Sequence, residues 1–409
     1  MAKRGYDGAM TQLQRLGLLA TLYFAQGLPY GFFAQALPVL LRKARYSLSA
    51  IGLTSLLAMP WALKFLWAPV VDRVWWSRLG RRRSWILAMQ LAGTIVLALL
   101  AIAPPAIWLL MASMVVLNTI AATQDVATDG MAVDMLPASE RGAANGIQVA
   151  GYRVGMIIGG GVLLSFYGEV GHHGTFAVMA GLTVLASIPV LAMREPTPAV
   201  ASSATTSAVH FLRLPGVWRV LALVFAWKFG ESFAQGMLRP FLVDLHLGLD
   251  DIALLLGTVG FVSGMLGALV GGLLVTRVGR RRSLIAFGIA QVIAVAGYAY
   301  LAFVDPSFVE LYGWCAVEHF ASGMATAALF TCMMDWSRPA SSGTDYTVQA
   351  STVVIAQGGA ATLSGFSADA LGYGPHFVVA AALCVVAVVL ATMLYPERFP
   401  RAVQFAATT

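Results

Sequence analysis

Lys228 and Glu231 stand three residues apart in the otherwise apolar stretch VFAWKFGESFAQ, and Glu318 and His319 are adjacent in WCAVEHFASG. Residues three apart on a helix share a face. The first pair is therefore either a mutually neutralised structural pair or a working one, in which Lys228 meets an anionic substrate while Glu231 exchanges a proton. The second pair joins a carboxyl to an imidazole. A carboxyl out of water holds its proton more tightly and an imidazole titrates near neutrality, which are the properties a proton-coupling site needs. Adjacent helical residues point about 100° apart, so one of the two faces a shared cavity.

A third group lies in NTIAATQDVATDGMAVDMLP, where Asp125, Asp129 and Asp134 end an apolar segment. An ionised carboxylate at the centre of a membrane helix costs about 2.5 to 3.5 kcal/mol, so these acids need partners or a task. Arg153 falls at nearly the depth of Asp125 if the chain turns back near Ala138. Asp125 is expected to be buried with Arg153, either as its neutraliser or as a proton-coupling group. Asp129, one turn further along, is placed for a gate with the basic run Arg81, Arg82 and Arg83. Asp134 is a boundary residue, solvated or capping. Lys64 lies eight residues before Asp72. It either snorkels to the membrane surface or serves as a cavity cation or partner to one of these acids. Arg239 carries the same ambiguity.

Tyr23, Gln26, Tyr30 and Gln35, with Phe24, Phe32 and Phe33, make the first apolar stretch unusually polar and aromatic, and Trp61, Trp227, Phe229 and Trp314 add flat faces elsewhere. Aromatic side chains pack in any membrane helix, yet this set suits an aromatic, anionic ligand. The catalytic signatures HExxH and GxSxG, a Cys/His nucleophile pair and the phosphate-binding GxxxxGK[ST] loop are all missing from the sequence. Cys315, Cys332 and Cys384 lie within apolar stretches and read as small packing residues. No enzyme, cofactor or metal site is expected.

The elements that must hold these residues are membrane helices. The 409 residues are 59% hydrophobic and 11% charged, with mean hydropathy +0.77. About 20 helical residues cross a hydrocarbon core about 30 Å thick. Twelve such spans are expected: Leu16 to Leu40, Ala50 to Val71, Ser84 to Ala103, Ile107 to Met135, Gly142 to Phe166, Thr175 to Met193, Val217 to Phe241, Ile252 to Val275, Ser283 to Val304, Phe308 to Met334, Thr347 to Ala370 and Gly374 to Tyr395. Basic residues collect in cytoplasmic loops. Most of the 26 Lys and Arg fall on one side, including Lys3, Arg4 and the Arg73 to Arg83 loop, and only Arg42, Lys43 and Arg45 fall in the opposite loops. Both termini are expected in the cytoplasm. This bias accounts for the net charge of +7, so nucleic acid is not an expected partner.

Arg194 to Arg219 interrupts the apolar pattern with Pro, Ser, Thr and Ala, as a linker does. It suggests a six-helix bundle over 1–193, a cytoplasmic linker over 194–216 and a second bundle over 217–409. The halves echo each other: VVDRVWWSRLGRRRSW against LVTRVGRRRSL, and FFAQALP against SFAQGMLRP, while Asp335 ends the tenth span much as acids end the fourth. Duplicated halves are a common transporter architecture. Glycines recur at Gly151, Gly155 and Gly159 in span 5 and through Gly257 to Gly272 in span 8. Such spacing permits close helix approach, for tight packing or for rocking of one surface on another.

With these echoes the sequence resembles the major facilitator superfamily along nearly its whole length. The first copy of that superfamily's loop signature reads Ala68, Asp72, Arg73, Gly80, Arg81, Arg82 and Arg83, with Ala for the usual first Gly and a longer loop. The second reads Gly272, Thr276, Arg277, Gly279, Arg280, Arg281 and Arg282, with Thr for the Asp. ALKFLWAPVVDR, TQDVATDGMAVDMLP and ERGAANGIQVAGYRVGMIIGGG resemble its AmpG-like branch, which includes muropeptide permeases, acetyl-CoA transporters and siderophore permeases of the rhizobactin and pyochelin type. Muropeptide permeases are usually longer, and siderophore permeases are compact chains of about this size.

The resemblance implies two pseudo-symmetric six-helix bundles in the bacterial inner membrane, a monomer, and a central cavity lined by spans 1, 4, 7 and 10, with spans 5 and 8 facing each other between the halves. It implies gating by Asp72, Arg73, Arg81 and Asp129. Substrate would meet Tyr23, Gln26, Tyr30, Gln35, Trp61, Arg153, Trp227, Lys228 and Trp314, and protons Glu231, Glu318, His319 and Asp125. The leading expectation is proton-driven import of a siderophore, with iron only as part of the cargo. The alternatives are a muropeptide or other small-molecule permease, and, outside transport, a membrane sensor.

Overall fold

A computed structural model describes residues 10–47, 54–195 and 207–396. Lys3, Arg4, the first residues of span 2 and most of the Pro/Ser-rich linker lie outside the described residues. Helix is the only regular structure within them. Twelve helical segments follow one another: α1 over 12–43, α2 over 54–73, α3 (Arg81–Ile102), α4 (Ile107–Met135), α5 (Arg141–Ser165), α6 (Tyr167–Ala192), α7 (Val217–Asp244), α8 (Asp250–Val278), α9 (Arg280–Phe303), α10 (Phe308–Asp335), α11 (Ser342–Leu371) and α12 (Tyr373–Leu394). A short helix, Ala208–Leu212, precedes α7.

Among the described residues, seven of these are long and apolar enough to cross a membrane by length and composition: α3, α4, α5, α6, α8, α9 and α12. The other five hold Gln26, Gln35, Lys64, Lys228, Glu231, Glu318, His319 and Asp345. In α1, α7, α10 and α11 these side chains lower the apolarity, whereas α2 is apolar over Leu56–Leu66 but broken into pieces too short to cross on their own.

Local sequence explains the ends and breaks. Thr11 with Gln14 and Ser307 with Glu310 form capping boxes that satisfy the first amides of α1 and α10. Gly80 and Gly279, with φ of +100° and +95°, start α3 and α9, each before Arg-Arg-Arg-Ser. A Cβ resists that backbone region, so the Gly in the repeated motif is a turn device. α6 kinks at Gly171, φ +66°, and therefore begins earlier than the expected Thr175. α2 is not one helix but four short pieces, with 3₁₀ turns at Thr54–Ala58 and Lys64–Leu66 and Pro60 and Pro69 at the starts of its α-helical pieces.

The chain forms two compact units. Unit 1 holds the described residues of Met1–Leu136, Ala150–His210 and Ser337–Ser351, and unit 2 those of Pro137–Val149, Phe211–Trp336 and Thr352–Thr409. The core of unit 1 packs Phe32, Phe33, Leu37, Leu97, Leu100, Met114, Leu117, Phe176 and Met179. In unit 2, Phe233, Leu238, Phe241, Leu255, Val295, Tyr298, Leu311 and Phe377 do so. Leu91, Ile95 and Leu99 on α3 and Val378, Val385 and Val389 on α12 point outward, as on a lipid-facing surface.

The glycine rows are packing devices with different neighbours from those expected. In unit 1, Gly151, Gly155 and Gly159 of α5 abut backbone atoms of Ala20, Phe24 and Leu28 on α1. In unit 2, Gly267 and Gly271 of α8 abut Phe320 and Met324 of α10, and Gly272 abuts Gly142 and Gly146. The row at Gly151, Gly155 and Gly159 therefore seats α1, and the expected facing of spans 5 and 8 involves the earlier Gly142 and Gly146.

Candidate functional site

Three groups of buried charge organise the units. The first runs down one face of α1 in unit 1, where Tyr23, Gln26 and Tyr30 follow helical spacing. The Tyr23 hydroxyl donates to Asp129 Oδ1 at 2.7 Å, and Gln26 Nε2 donates to Thr128 Oγ1 at 3.3 Å. Tyr30 presents its ring to Trp61, centroids 6.0 Å apart, and to Tyr152 at 5.6 Å. Trp61 Nε1 donates to Asn118 Oδ1 at 3.0 Å. Below this ring group, Lys64 donates to Asp125 and sits 5.4 Å from the Trp61 centroid.

Several expectations are corrected here. Asp125 takes Lys64 as its cation, and Lys64, 2% exposed, does not snorkel. Equal depth of Asp125 and Arg153 left the rotation of each helix open, and the break in α2 at Lys64 turns its ammonium against α4. Arg153 lies half-buried on α5. Asp129 is bonded to Tyr23 rather than to the basic loop, because α1 covers that face of α4. Gln35 packs over Gly160.

The second group lies in unit 2. Lys228 Nζ donates to Glu231 Oε2 at 2.8 Å and to Thr326 Oγ1 at 2.6 Å, while the Ser322 hydroxyl donates to Glu231 Oε1. Glu318, fully buried, receives Gln235 Nε2 at 3.2 Å and the Tyr298 hydroxyl at 3.1 Å. His319 Nδ1 is 3.1 Å from Glu318 Oε2 and 2.9 Å from the Cys315 carbonyl oxygen. Both residues thus share one network, although adjacent positions on a helix diverge. The long glutamate folds back to the ring. Trp227 packs against Gly288 and Trp314 against Gly297, so both indoles seal helix contacts with α9.

The third group closes the α2–α3 end of unit 1. Asp72, fully buried, accepts Arg82 Nη1 at 2.6 Å, Arg81 Nη2 at 3.1 Å, and the Thr344 amide and hydroxyl at 2.7 and 2.6 Å. Arg82, also fully buried, extends Nε to Asp134 at 3.0 Å and Nη2 to the Ser342 hydroxyl at 2.6 Å. Gly130 and Gly343 leave room for this guanidinium, since a Cβ on either would come within 2.5 and 2.8 Å of it. Arg73 is exposed at the end of α2. Asp134, expected to be solvated or capping, is a partner in the network.

Around this network two helix ends are capped reciprocally. Glu195 accepts the amides of Arg82 and Arg83 at the start of α3, and the Arg83 side chain donates to the Val190 and Leu191 carbonyls at the end of α6. Burial pushes the Glu195 carboxyl above its ordinary value of 4.5, against the pull of those amides and of the Arg82 charge. In unit 2, Asp335 receives Arg280 Nε at 2.8 Å and Arg141 Nη1 at 2.7 Å. It thereby supplies the carboxylate absent from the second loop motif, where Thr276 stands in the Asp position and its buried hydroxyl lacks a hydrogen-bond partner.

Ser342 and Thr344 carry no signal in the sequence, and Arg82 is expected only as one of a basic run set to meet Asp129, not as the partner of Asp72 and Asp134. Three consecutive arginines point about 100° apart on a helix, and nothing local tells which one turns inward. Among the described residues no group of three or more His, Cys, Asp or Glu side chains is arranged to hold a metal ion.

The sequence matches the family described as Major Facilitator Superfamily over residues 19–317 and again over 229–409. It is 30% identical over 390 residues to the anhydromuropeptide permease of Escherichia coli strain K12, covering 93% of this chain and 79% of the permease. An uncharacterized protein of Haemophilus influenzae is also 30% identical, over 375 residues, 87% of this chain and 88% of that one. Among solved structures, the human organic anion transporter MFSD10 (TETRAN) aligns with TM-score 0.72 and 14% identity, covering 93% of this chain and all of that one. The transporter FucP in the outward conformation aligns with TM-score 0.70 and 14% identity, covering 93% and 98%. At such identities the structural likeness speaks for the fold.

Proposed function

Because the chain belongs to the Major Facilitator Superfamily and, within it, to the AmpG-like branch, we propose that it carries a muropeptide-like cargo, an amino sugar bearing a short acidic peptide, across the bacterial inner membrane. It is a multi-pass membrane transporter of a small molecule and not an enzyme. The observation that carries the cargo reading is the extended match to the anhydromuropeptide permease. Buried Lys64 and Lys228, each set beside a carboxylate, suit a cargo with more than one anionic group.

The comparisons support this alternative in place of the ferric siderophore expected from chain length and aromatic content. A siderophore remains a second reading on one observation, the ring group of Tyr30, Trp61 and Tyr152. The proposed cycle is alternating access, working inward from the periplasm in a monomer with both termini in the cytoplasm. Asp72 and Arg82 hold one gate. Proton exchange is assigned to Glu318 and His319, whose contact is what that exchange would need.

The test is accumulation of radiolabelled anhydromuropeptide in proteoliposomes containing the purified chain, with and without an inward proton gradient. Gradient-dependent accumulation is expected. Failure with muropeptide, together with accumulation of a labelled ferric siderophore, would replace this reading by the second.

A further inference from the structure

The ammonium of Lys64 has three donors, and a buried polar group is costly unless its hydrogen bonds are made. Lys64 is 2% exposed, yet among the described residues its one hydrogen bond goes to the Asp125 carboxylate, with the Trp61 ring 5.4 Å away and the Asp129 charge near without a hydrogen bond to it. Lys228, equally buried, fills two donors with Glu231 and Thr326. The difference lies in the backbone. Lys64 begins the 3₁₀ turn Lys64–Leu66 that breaks α2, between the short helices Met59–Leu63 and Ala68–Arg73. Within a membrane, irregular backbone is tolerated where it is buried in protein or lines a cavity, and interrupted helices mark binding sites. Above the ammonium stand Tyr30, Trp61 and Tyr152. Tyr30 and Tyr152 keep part of their surface open, while the floor at Lys64 is closed.

We infer that Lys64 is the receptor for a cargo carboxylate attached to or beside a ring, and that Asp125 holds its place when the site is empty. The ring lies against Trp61, Tyr30 and Tyr152, and the carboxylate takes the unfilled donors of Lys64. Asp125 is thereby a competitor for the ammonium. An entering anion must displace it from the ammonium, which weakens binding of every anion by the same contact. The inference rests on the chain being a carrier and not on which cargo it carries: a saccharide ring with an ether-linked carboxylate and an arene carboxylate share the chemistry.

Binding of N-acetylmuramate and of salicylate, each beside its primary carboxamide, is measured by calorimetry on the full chain in nanodiscs. At least one acid is expected to bind tenfold or more tighter than its amide, and Lys64→Gln to abolish that preference. Muramate preferred over salicylate identifies a sugar ring, and the reverse an arene. Should Lys64→Gln fail to fold, Lys64→Arg must keep the preference, while Trp61→Phe weakens acid and amide by the same factor. The inference is overturned if the wild type binds acids and amides alike or binds neither, or if the preference survives in Lys64→Gln. Muropeptide uptake in proteoliposomes is read separately, so loss of the cargo reading and loss of this site give different results.

Discussion

Lys64 and Asp125 form a buried ion pair between α2 and α4, with the Trp61 ring on the lysine. Breaking such a pair by removing one partner leaves an uncompensated charge and costs about 3 to 5 kcal/mol, whereas removing both is far less harmful. Lys64→Met and Asp125→Asn should each lower the unfolding temperature of the purified protein, and Lys64→Met with Asp125→Asn should recover much of the loss. A double variant as unstable as the two losses added together would show that the residues do not act as a pair.

Arg82 bridges Asp72, Asp134 and Ser342 through separate guanidinium nitrogens. Lysine offers one point charge in place of that planar fork and cannot span the set. Arg82→Lys is expected to reduce initial uptake rates at least tenfold with membrane expression retained. Arg73→Lys, at an exposed position, is expected to change them less than twofold. Equal effects at the two positions would remove Arg82 from the gate.

Much of this was open to the sequence because it is local. The apolar runs place the helices, the Gly-Arg-Arg-Arg-Ser repeat marks the starts of α3 and α9, and three-residue spacing joins Lys228 to Glu231. What stayed hidden depends on rotation and on distant chain segments. Depth along a helix placed Asp125 level with Arg153 but could not show that α2 breaks and delivers Lys64. Thr344 reaches Asp72 from 272 residues away in the chain, and no spacing rule links them.

Glu318 and His319 share a contact at 3.1 Å inside a network with Tyr298 and Gln235. If protons enter here, Glu318→Gln should uncouple uptake from the imposed gradient while leaving exchange of labelled for unlabelled cargo. His319→Gln should flatten the dependence of uptake on pH. A variant pair with unaltered gradient dependence assigns the network to structure alone.

Gly155 has no room for a side chain: a Cβ would lie 2.2 Å from the Phe24 carbonyl oxygen of α1. Backbone cannot yield as a flexible side chain does, and overpacking costs about 1 to 3 kcal/mol. Gly155→Ala should destabilise the protein measurably in thermal unfolding. Gly161→Ala, six residues on, meets nothing within 4 Å and should be neutral or slightly stabilising. Equal unfolding temperatures for the two variants would deny that the glycine row seats α1 on α5.

Glu195 gives a signed pH prediction. Its carboxyl is raised above 4.5 in the folded protein by burial, with the Arg83 and Arg82 amides and the Arg82 charge pulling the other way. A group whose folded value is raised holds its proton to higher pH than the unfolded chain does. Its contribution to stability is therefore complete below 4.5 and is lost as pH rises through the folded value. Relative to Glu195→Gln, the wild type should lose stability as pH rises above 4.5, and the two unfolding curves should run parallel below it. Glu195→Ala should be worse than Glu195→Gln at every pH, because it leaves the Arg82 and Arg83 amides without their acceptor at the start of α3. A wild type that instead gains stability over that window, relative to Glu195→Gln, would mean that the amides and the arginine outweigh burial at this cap.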